Sequence, residues 1–307
     1  MSDLIVHQYD MSPFSEKVRA MLGYAQLPWQ AVTTRQMPPR PHLDEVLVGG
    51  YRKIPVAQQG ADVFCDSRVI SAEIARLSEK PLLALENCSA EINDFVQRTD
   101  LDVFFACILS ANSKALARKA WASSSLADLL KLLWDRAKMG RTASVSVVGP
   151  RQARPMVEAH LQQIEAMLKD DFLFGAVPTN ADFAAYHGLW FIRDLAERSF
   201  VAKYPRVMAW LDRIKAFGHG MRRDIGIEGS IQIARDARPR AIADCDRQDA
   251  RIGSLVSVAP SDYGQKPTVG TLVGASAHRW VIAREHPQVG VVHVHFPVPG
   301  FSLQKAP

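Results

Sequence analysis

The sequence predicts three architectures in succession: an α/β domain, an all-helical domain and a small β-rich C-terminal extension. Three observations carry this reading. The first eighty residues alternate strand and helix signals, residues 88–217 carry long helical periodicities, and from Ile252 onward short β-prone runs are broken by proline and glycine. A length of 307 residues gives a prior of about two domains. A hydrophobic fraction of 48% with 22% charged residues is a globular composition and rules out wholesale disorder. No apolar run approaches the ~18–20 residues of a membrane-spanning helix. Met1-Ser2-Asp3-Leu4 lacks the basic and apolar regions of a cleaved signal. Cys65, Cys88, Cys107 and Cys245 have no metal-like or redox-pair spacing, which fits a reducing compartment. The expectation is a soluble, cytoplasmic protein.

Leu4-Ile5-Val6-His7-Gln8-Tyr9 is a short apolar, β-prone run. It ends at Asp10-Met11-Ser12-Pro13, where Ser12 suits an N-cap and Pro13 the first helical position. Phe14, Val18, Met21, Leu22 and Ala25 then recur at helical spacing. A second strand-like run covers Trp29 to Thr34, followed by a proline-rich stretch and a weak helix signal around Leu43 to Leu47. Ile54-Pro55-Val56-Ala57 and Ala61-Asp62-Val63-Phe64-Cys65 flank Gln58-Gln59-Gly60 and read as a β-hairpin. Asp66-Ser67 opens a helix whose apolar face is Ile70, Ile74 and Leu77. A crossover helix makes the first two strands parallel, and the hairpin adds antiparallel strands to a mixed sheet. This domain is placed at residues 1–80.

Residues 86–225 form the helical domain, with periodicities over Ile92–Leu109, Leu116–Met139, Val157–Leu168, Phe183–Leu195 and Val207–Phe217. Thr179-Asn180-Ala181-Asp182 is a capping-box variant, with Thr179 as N-cap. Phe183, Tyr186, Trp190, Phe191 and Trp210 read as core. Residues 226–307 are a linker and the β-rich extension. Its charged stretch 234–251 is helix-poor, and strands fall at Leu255–Val258, Thr268–Val273, Arg279–Arg284 and Val289–Phe296. About fifty residues of short strands bury little core alone, so the extension is expected to pack on the helices.

The net charge of +5 raises the question of nucleic acid. Residues 1–80 carry nine Lys/Arg against nine Asp/Glu, residues 81–225 nineteen against sixteen, and the rest nine against seven. No segment forms a phosphate-tracking stripe, and the small excess is compatible with a small anionic ligand.

Four motifs in order then carry a resemblance. Tyr9-Asp10-Met11-Ser12-Pro13-Phe14-Ser15-Glu16-Lys17-Val18-Arg19 resembles the first strand-to-helix turn of the cytosolic glutathione S-transferase superfamily. Ile54-Pro55-Val56 and Asp66-Ser67-Arg68-Val69-Ile70 are similar to the same family's glutathione-binding half, and Thr179-Asn180-Ala181-Asp182-Phe183 to its helical-domain capping box. Together they span roughly residues 1–220, and the extension lies outside the usual two-domain pattern. The resemblance implies a thioredoxin-like N-terminal domain, an all-α C-terminal domain, glutathione as co-substrate in the cleft between them, and a homodimer. It implies no metal, membrane or nucleic-acid partner.

Each motif also has a physical reading. Ser67 at a helix start offers a hydroxyl and an amide to the γ-glutamyl carboxylate, and Asp66 could accept from the peptide's ammonium group; the plain alternative is a helix cap. Pro55 resembles the family's cis-proline, which would turn the amide and carbonyl of Ile54 outward to pair with the cysteinyl unit like an added strand; otherwise it is an edge-strand proline. Lys53, with Arg52 as the second choice, could meet the glycyl carboxylate or be solvated surface. Ser12 at the start of the first helix would stabilise the thiolate as the catalytic residue, or only cap the helix. Tyr9 is the rival hydroxyl. Ser12-Pro13-Phe14-Ser15 stands where glutaredoxin-like and omega-like members carry cysteine, and serine forms no mixed disulfide, so thiol–disulfide exchange through this motif is excluded.

The remaining pocket, for a small hydrophobic electrophile, draws on Met11, Phe14, Phe104 and Phe105, each of which suits core packing as well. The leading expectation is a glutathione transferase-like enzyme. A non-catalytic binding or assembly module is the alternative, and a glutathione-dependent isomerase stands behind it because the expected Ser-Ser-Cys turn is missing. His293-Val294-His295 puts two imidazoles on one strand face, the spacing of a metal site, but no Cys, Asp or Glu shares the strand and the preferred reading is a solvent-facing or interface stripe. No Walker, GxGxxG or G-x-S-x-G pattern occurs.

Overall fold

The computed structural model describes residues 3–123 and 148–306. The N-terminal order is as the sequence predicts: β1 (Leu4–Gln8), α1 (Pro13–Ala25), β2 (Pro28–Thr33), β3 (Val56–Gln59), β4 (Asp62–Cys65) and α2 (Ser67–Ser78). β1 pairs in parallel with β2 and antiparallel with β3, and β3 with β4. β1 is buried along its whole length, as expected of a central strand covered on both faces. Alternation along the strands splits the apolar side chains between two cores. Leu4, Val6, Ala57 and Phe64 face the helical domain, whereas Val56, Val63 and Cys65 face the other way.

The helical domain contains α3 (Ala90–Arg98), α4 (Phe104–Ser110), α5 (Lys114–Ser123), α6 (Pro150–Met167), α7 (Asn180–Trp190) and α8 (Pro205–Ala216) among the described residues. The expected periodicity over Leu116–Met139 begins inside α5, and its part beyond Ser123 lies outside the described residues. A π-helical turn at Thr99–Val103 joins α3 to α4. The capping box forms at α7. The fully buried Asp182 accepts from the Thr179 amide at 2.9 Å, the Leu173 amide at 2.9 Å and Trp210 Nε1 at 3.0 Å, so one carboxylate ties α7 to α8 and to the preceding loop.

The extension departs from expectation. Instead of packing on the helices, its strands continue the N-terminal sheet. β6 (Leu255–Pro260), β7 (Thr268–Ala275), β8 (Arg279–His286), β9 (Gly290–Pro297) and β10 (Phe301–Lys305) join at β4; with β5 (Met221–Asp224) at the far edge they give a ten-stranded sheet in the order β10-β6-β7-β8-β9-β4-β3-β1-β2-β5. β9 runs parallel to β4, with Asp62 opposite His293 and Phe64 opposite His295. The physical reason is the open edge of β4, whose unpaired backbone groups favour another strand. Two further elements carry weak sequence signals. β5 (Met221–Asp224) is exposed throughout and pairs with β2 at the far edge, its three charged residues suiting an edge strand. A helix at Ile227–Asp236 overlaps the start of the stretch expected to be helix-poor.

Polar groups fasten the junction. Asp62, 1% exposed, accepts from His295 Nε2 at 2.8 Å and from the Arg240 amide at 2.9 Å. Arg240 reaches on to Glu73 of α2 at 2.9 Å, and Arg76 meets the same oxygen at 2.6 Å. His295 is thus buried at the interface between the extension and the N-terminal domain. Asp62→Ala strips a buried donor, His295, and a part-buried one, the Arg240 amide, of their acceptor and is expected to cost roughly 2–4 kcal/mol, read as a lower urea midpoint at unchanged slope.

Burial holds four imidazoles neutral: His7, His187 and His295 are pushed down to about 4 and His160 to about 3, from 6.5. The unfolded chain therefore binds more protons than the folded one as pH falls below about 6.5. Stability is full above that value and is lost progressively towards pH 4, by about 1.4 kcal/mol per pH unit for each histidine in its window. Melting temperatures at pH 7.5, 6 and 5 should fall in that order, and a flat profile contradicts the assignment.

Candidate functional site

A crevice of about 180 Å³ lies where the N-terminal domain, the helical domain and the extension meet. Phe14 of α1 lines it, as do Lys53, Ile54 and Pro55 before β3, and Asp66 and Ser67 at the start of α2. Six sequence-predicted residues from three separated segments therefore share one cavity.

Local structure explains how they converge. The Ile54–Pro55 peptide is cis, and Pro55 is buried while Ile54 is partly open. Asp66 caps α2 with its carboxylate accepting from the Arg68 amide at 2.9 Å, and it holds φ at +85°, a conformation rare outside glycine. Such strain is kept only where the surroundings enforce it. Burial pushes the Asp66 carboxyl above its usual range, opposed by the nearby Lys53 ammonium and the Arg68 amide. The positive end of α2 offers the amide and hydroxyl of Ser67 to an anion.

The other expected residues sit around the crevice without lining it. Ser12 caps α1, its Oγ accepting from the Ser15 amide at 3.2 Å, and is 2% exposed. Its hydroxyl proton has no acceptor among the described residues, so the group keeps one donor. The turn before it is braced by buried Arg19, which donates to the Asp10 carbonyl at 2.9 Å, to Glu16 at 3.0 Å and to Gln8. Tyr9 and Met11 are half-buried on the same turn. Phe104 is buried against Phe14 (ring centroids 4.7 Å apart) and against His187 (5.3 Å). Phe105 packs edge-on against Tyr263 at 5.4 Å. The aromatic set is thus divided: Phe14 reaches the cavity, Phe104 belongs to the packing behind it, and Phe105 is roofed by the extension.

Several lining residues escaped the sequence reading. Asp100 and Leu101 enter from the π-helical turn, a feature that re-aims side chains. Asp100 Oδ2 meets buried Lys17 at 2.6 Å, and its Oδ1 is buried with no hydrogen-bond partner. Asp262, Tyr263 and Phe301 come from the extension. Lys53 Nζ lies 2.6 and 2.8 Å from the two carboxylate oxygens of Asp262 and 4.0 Å from the Tyr263 ring centroid. The one available signal was Ser261-Asp262-Tyr263-Gly264, a polar turn between two strands. Among the described residues, no group of three or more His, Cys, Asp or Glu could hold a metal ion, and no helix is long and apolar enough to cross a membrane.

Replacing Ser12 removes the cap of α1. Ser12→Ala should lower stability by about 1 kcal/mol, measured by urea unfolding, and a neutral result would show that the bond to Ser15 contributes nothing.

Residues 6–81 match the glutathione S-transferase N-terminal domain and residues 126–213 the glutathione S-transferase C-terminal domain. A GST-like protein from Pseudomonas syringae is similar at 30% identity with a TM-score of 0.75, over 99% of this chain and 100% of that one. A glutathione S-transferase from Rhodospirillum rubrum F11 matches at 21% identity and TM-score 0.46 over 69% of this chain and 88% of its own. The beta-etherase LigF from Sphingobium sp. strain SYK-6 matches at 19% and 0.48 over 69% and 95%. The sequence matches no curated protein.

Proposed function

The chain belongs to the glutathione S-transferase superfamily, and from that premise we propose that it binds reduced glutathione in the crevice and activates its thiol for attack on a small hydrophobic electrophile. The observation that carries the reading is the convergence of Ile54, Pro55, Asp66 and Ser67 on one cavity. In this reading the γ-glutamyl carboxylate sits at the positive end of α2 against Ser67, and its ammonium meets Asp66. The backbone of Ile54 pairs with the cysteinyl unit. Lys53 lies towards the glycyl end.

The thiol of glutathione is mostly protonated at neutral pH, so catalysis needs its thiolate favoured. Ser12 is the group assigned to that role. Its Oγ already accepts from the Ser15 amide, which polarises the hydroxyl, and the remaining proton donates to sulfur. A hydrogen bond to an ionised acceptor is worth roughly 1.5–3 kcal/mol. The electrophile approaches beside Phe14, where the helical domain closes the crevice.

One observation favours a second reading, a binding or assembly module without turnover. Ser12 is 2% exposed and does not line the crevice, so its hydroxyl is shielded from a thiol bound there. Titration calorimetry with reduced glutathione tests the first reading, and the absence of heat at millimolar concentration sinks it. With binding established, Ser12→Ala should lower turnover about 10–100-fold on a competent electrophile and leave affinity nearly unchanged. Binding without turnover across an electrophile panel establishes the second reading instead.

A further inference from the structure

Charge accounting in the crevice leads beyond glutathione as a class. Asp262 engages Lys53 with both carboxylate oxygens, at 2.6 and 2.8 Å, and both side chains are largely shielded from water at 13% and 25% exposure. The loop that carries Asp262 is held in place. The Ser261 amide donates to the Gly300 carbonyl at 2.9 Å, and Gln265 donates back to the Ser261 carbonyl at 3.1 Å. Gly264 has a φ of +64° and lies against the Arg52 side chain, and Tyr263 wedges between the Lys53 ammonium and Phe105. The second lysine near the crevice, Lys17, is paired in the same way with Asp100. Of the lining cations, Arg68 alone forms no ion pair among the described residues. At the start of α2 the cavity therefore presents the Ser67 amide and hydroxyl with the Arg68 guanidinium to one carboxylate and Asp66 to one ammonium, whereas the cation at its other end, Lys53, is already paired.

Reduced glutathione brings two carboxylates and one ammonium. The start of α2 answers one of each, and the glycyl carboxylate at the Lys53 end would have to displace Asp262 or lie beside it, where like charges repel. We propose that Asp262 is a specificity-determining residue that fills the cation otherwise available to a glycyl carboxylate, so that the preferred ligand is a γ-glutamyl-cysteinyl thiol peptide whose glycyl end is uncharged, as an amide or ester. This rests on the function proposed above and names the ligand class of that same site.

Titration calorimetry of the full chain and of Asp262→Asn, each with reduced glutathione and with its glycyl amide, tests the proposal. Wild-type protein is expected to bind the amide about 10-fold more tightly than the free acid, and Asp262→Asn to tighten the free acid about 10-fold while moving the amide less than about 2-fold. A wild-type preference for the free acid, or a substitution that shifts both ligands equally, overturns the proposal while leaving glutathione binding intact. Failure of both peptides to bind either protein overturns the function reading itself, and this inference with it. The wild-type comparison alone decides the matter if Asp262→Asn does not fold.

Discussion

The parallel pairing of β9 along β4, fastened by Asp62, is the constraint from which the rest of the architecture follows. It commits the edge of the N-terminal sheet to the extension, and it directs Val63 and Cys65 into a core shared with Leu272, Ile282, Val294 and Phe296. Because β4 leads directly into Asp66 and Ser67, the same pairing sets the extension beside the crevice. The turn before β7 then falls on Lys53. A structural edge and a functional wall are two consequences of one strand addition.

The electrostatics follow from this closure. A lysine beside an open cleft is a solvated cation, whereas one held by a carboxylate and an aromatic ring under a protein roof has its charge already answered. Asp66 feels both groups: Lys53 favours its ionised form, while burial and Asp262 oppose it. Under the function proposed above, a ligand that reaches Lys53 exchanges partners with Asp262 and does not fill an open basic pocket. The modest net charge of the whole chain is in keeping with this.

Much of the N-terminal domain was legible in the sequence because its signals are local. Ser12-Pro13, Asp66-Ser67 and Thr179 with Asp182 are caps whose chemistry is complete within four residues, and each opens the helix it was expected to open. The hairpin around Gly60 is equally local. What the sequence could not express is the pairing of distant segments. β9 reads correctly as a strand, but nothing in Val289–Phe296 says that its neighbour is Asp62–Cys65, more than two hundred residues earlier. For the same reason nothing in the neighbouring sequence marks Asp262, in a polar turn, or Asp100, within a helical stretch, as a lining residue. The aromatic residues were ambiguous from the start, since Phe14, Phe104 and Phe105 differ in exposure through packing that crosses domain boundaries.

Strand addition at β4 also bears on how separable the parts of this chain are. Were the chain to stop after the helical domain, β4 would regain a bare edge, and Val56, Val63, Tyr51 and Leu47 would lose the strands that shelter them from water. A shortened form would thus carry a sticky flank suited to self-association. The eighty-odd final residues are therefore the continuation of the N-terminal sheet and not an ornament, and a form lacking them would need polar side chains on that flank to stay free of self-association.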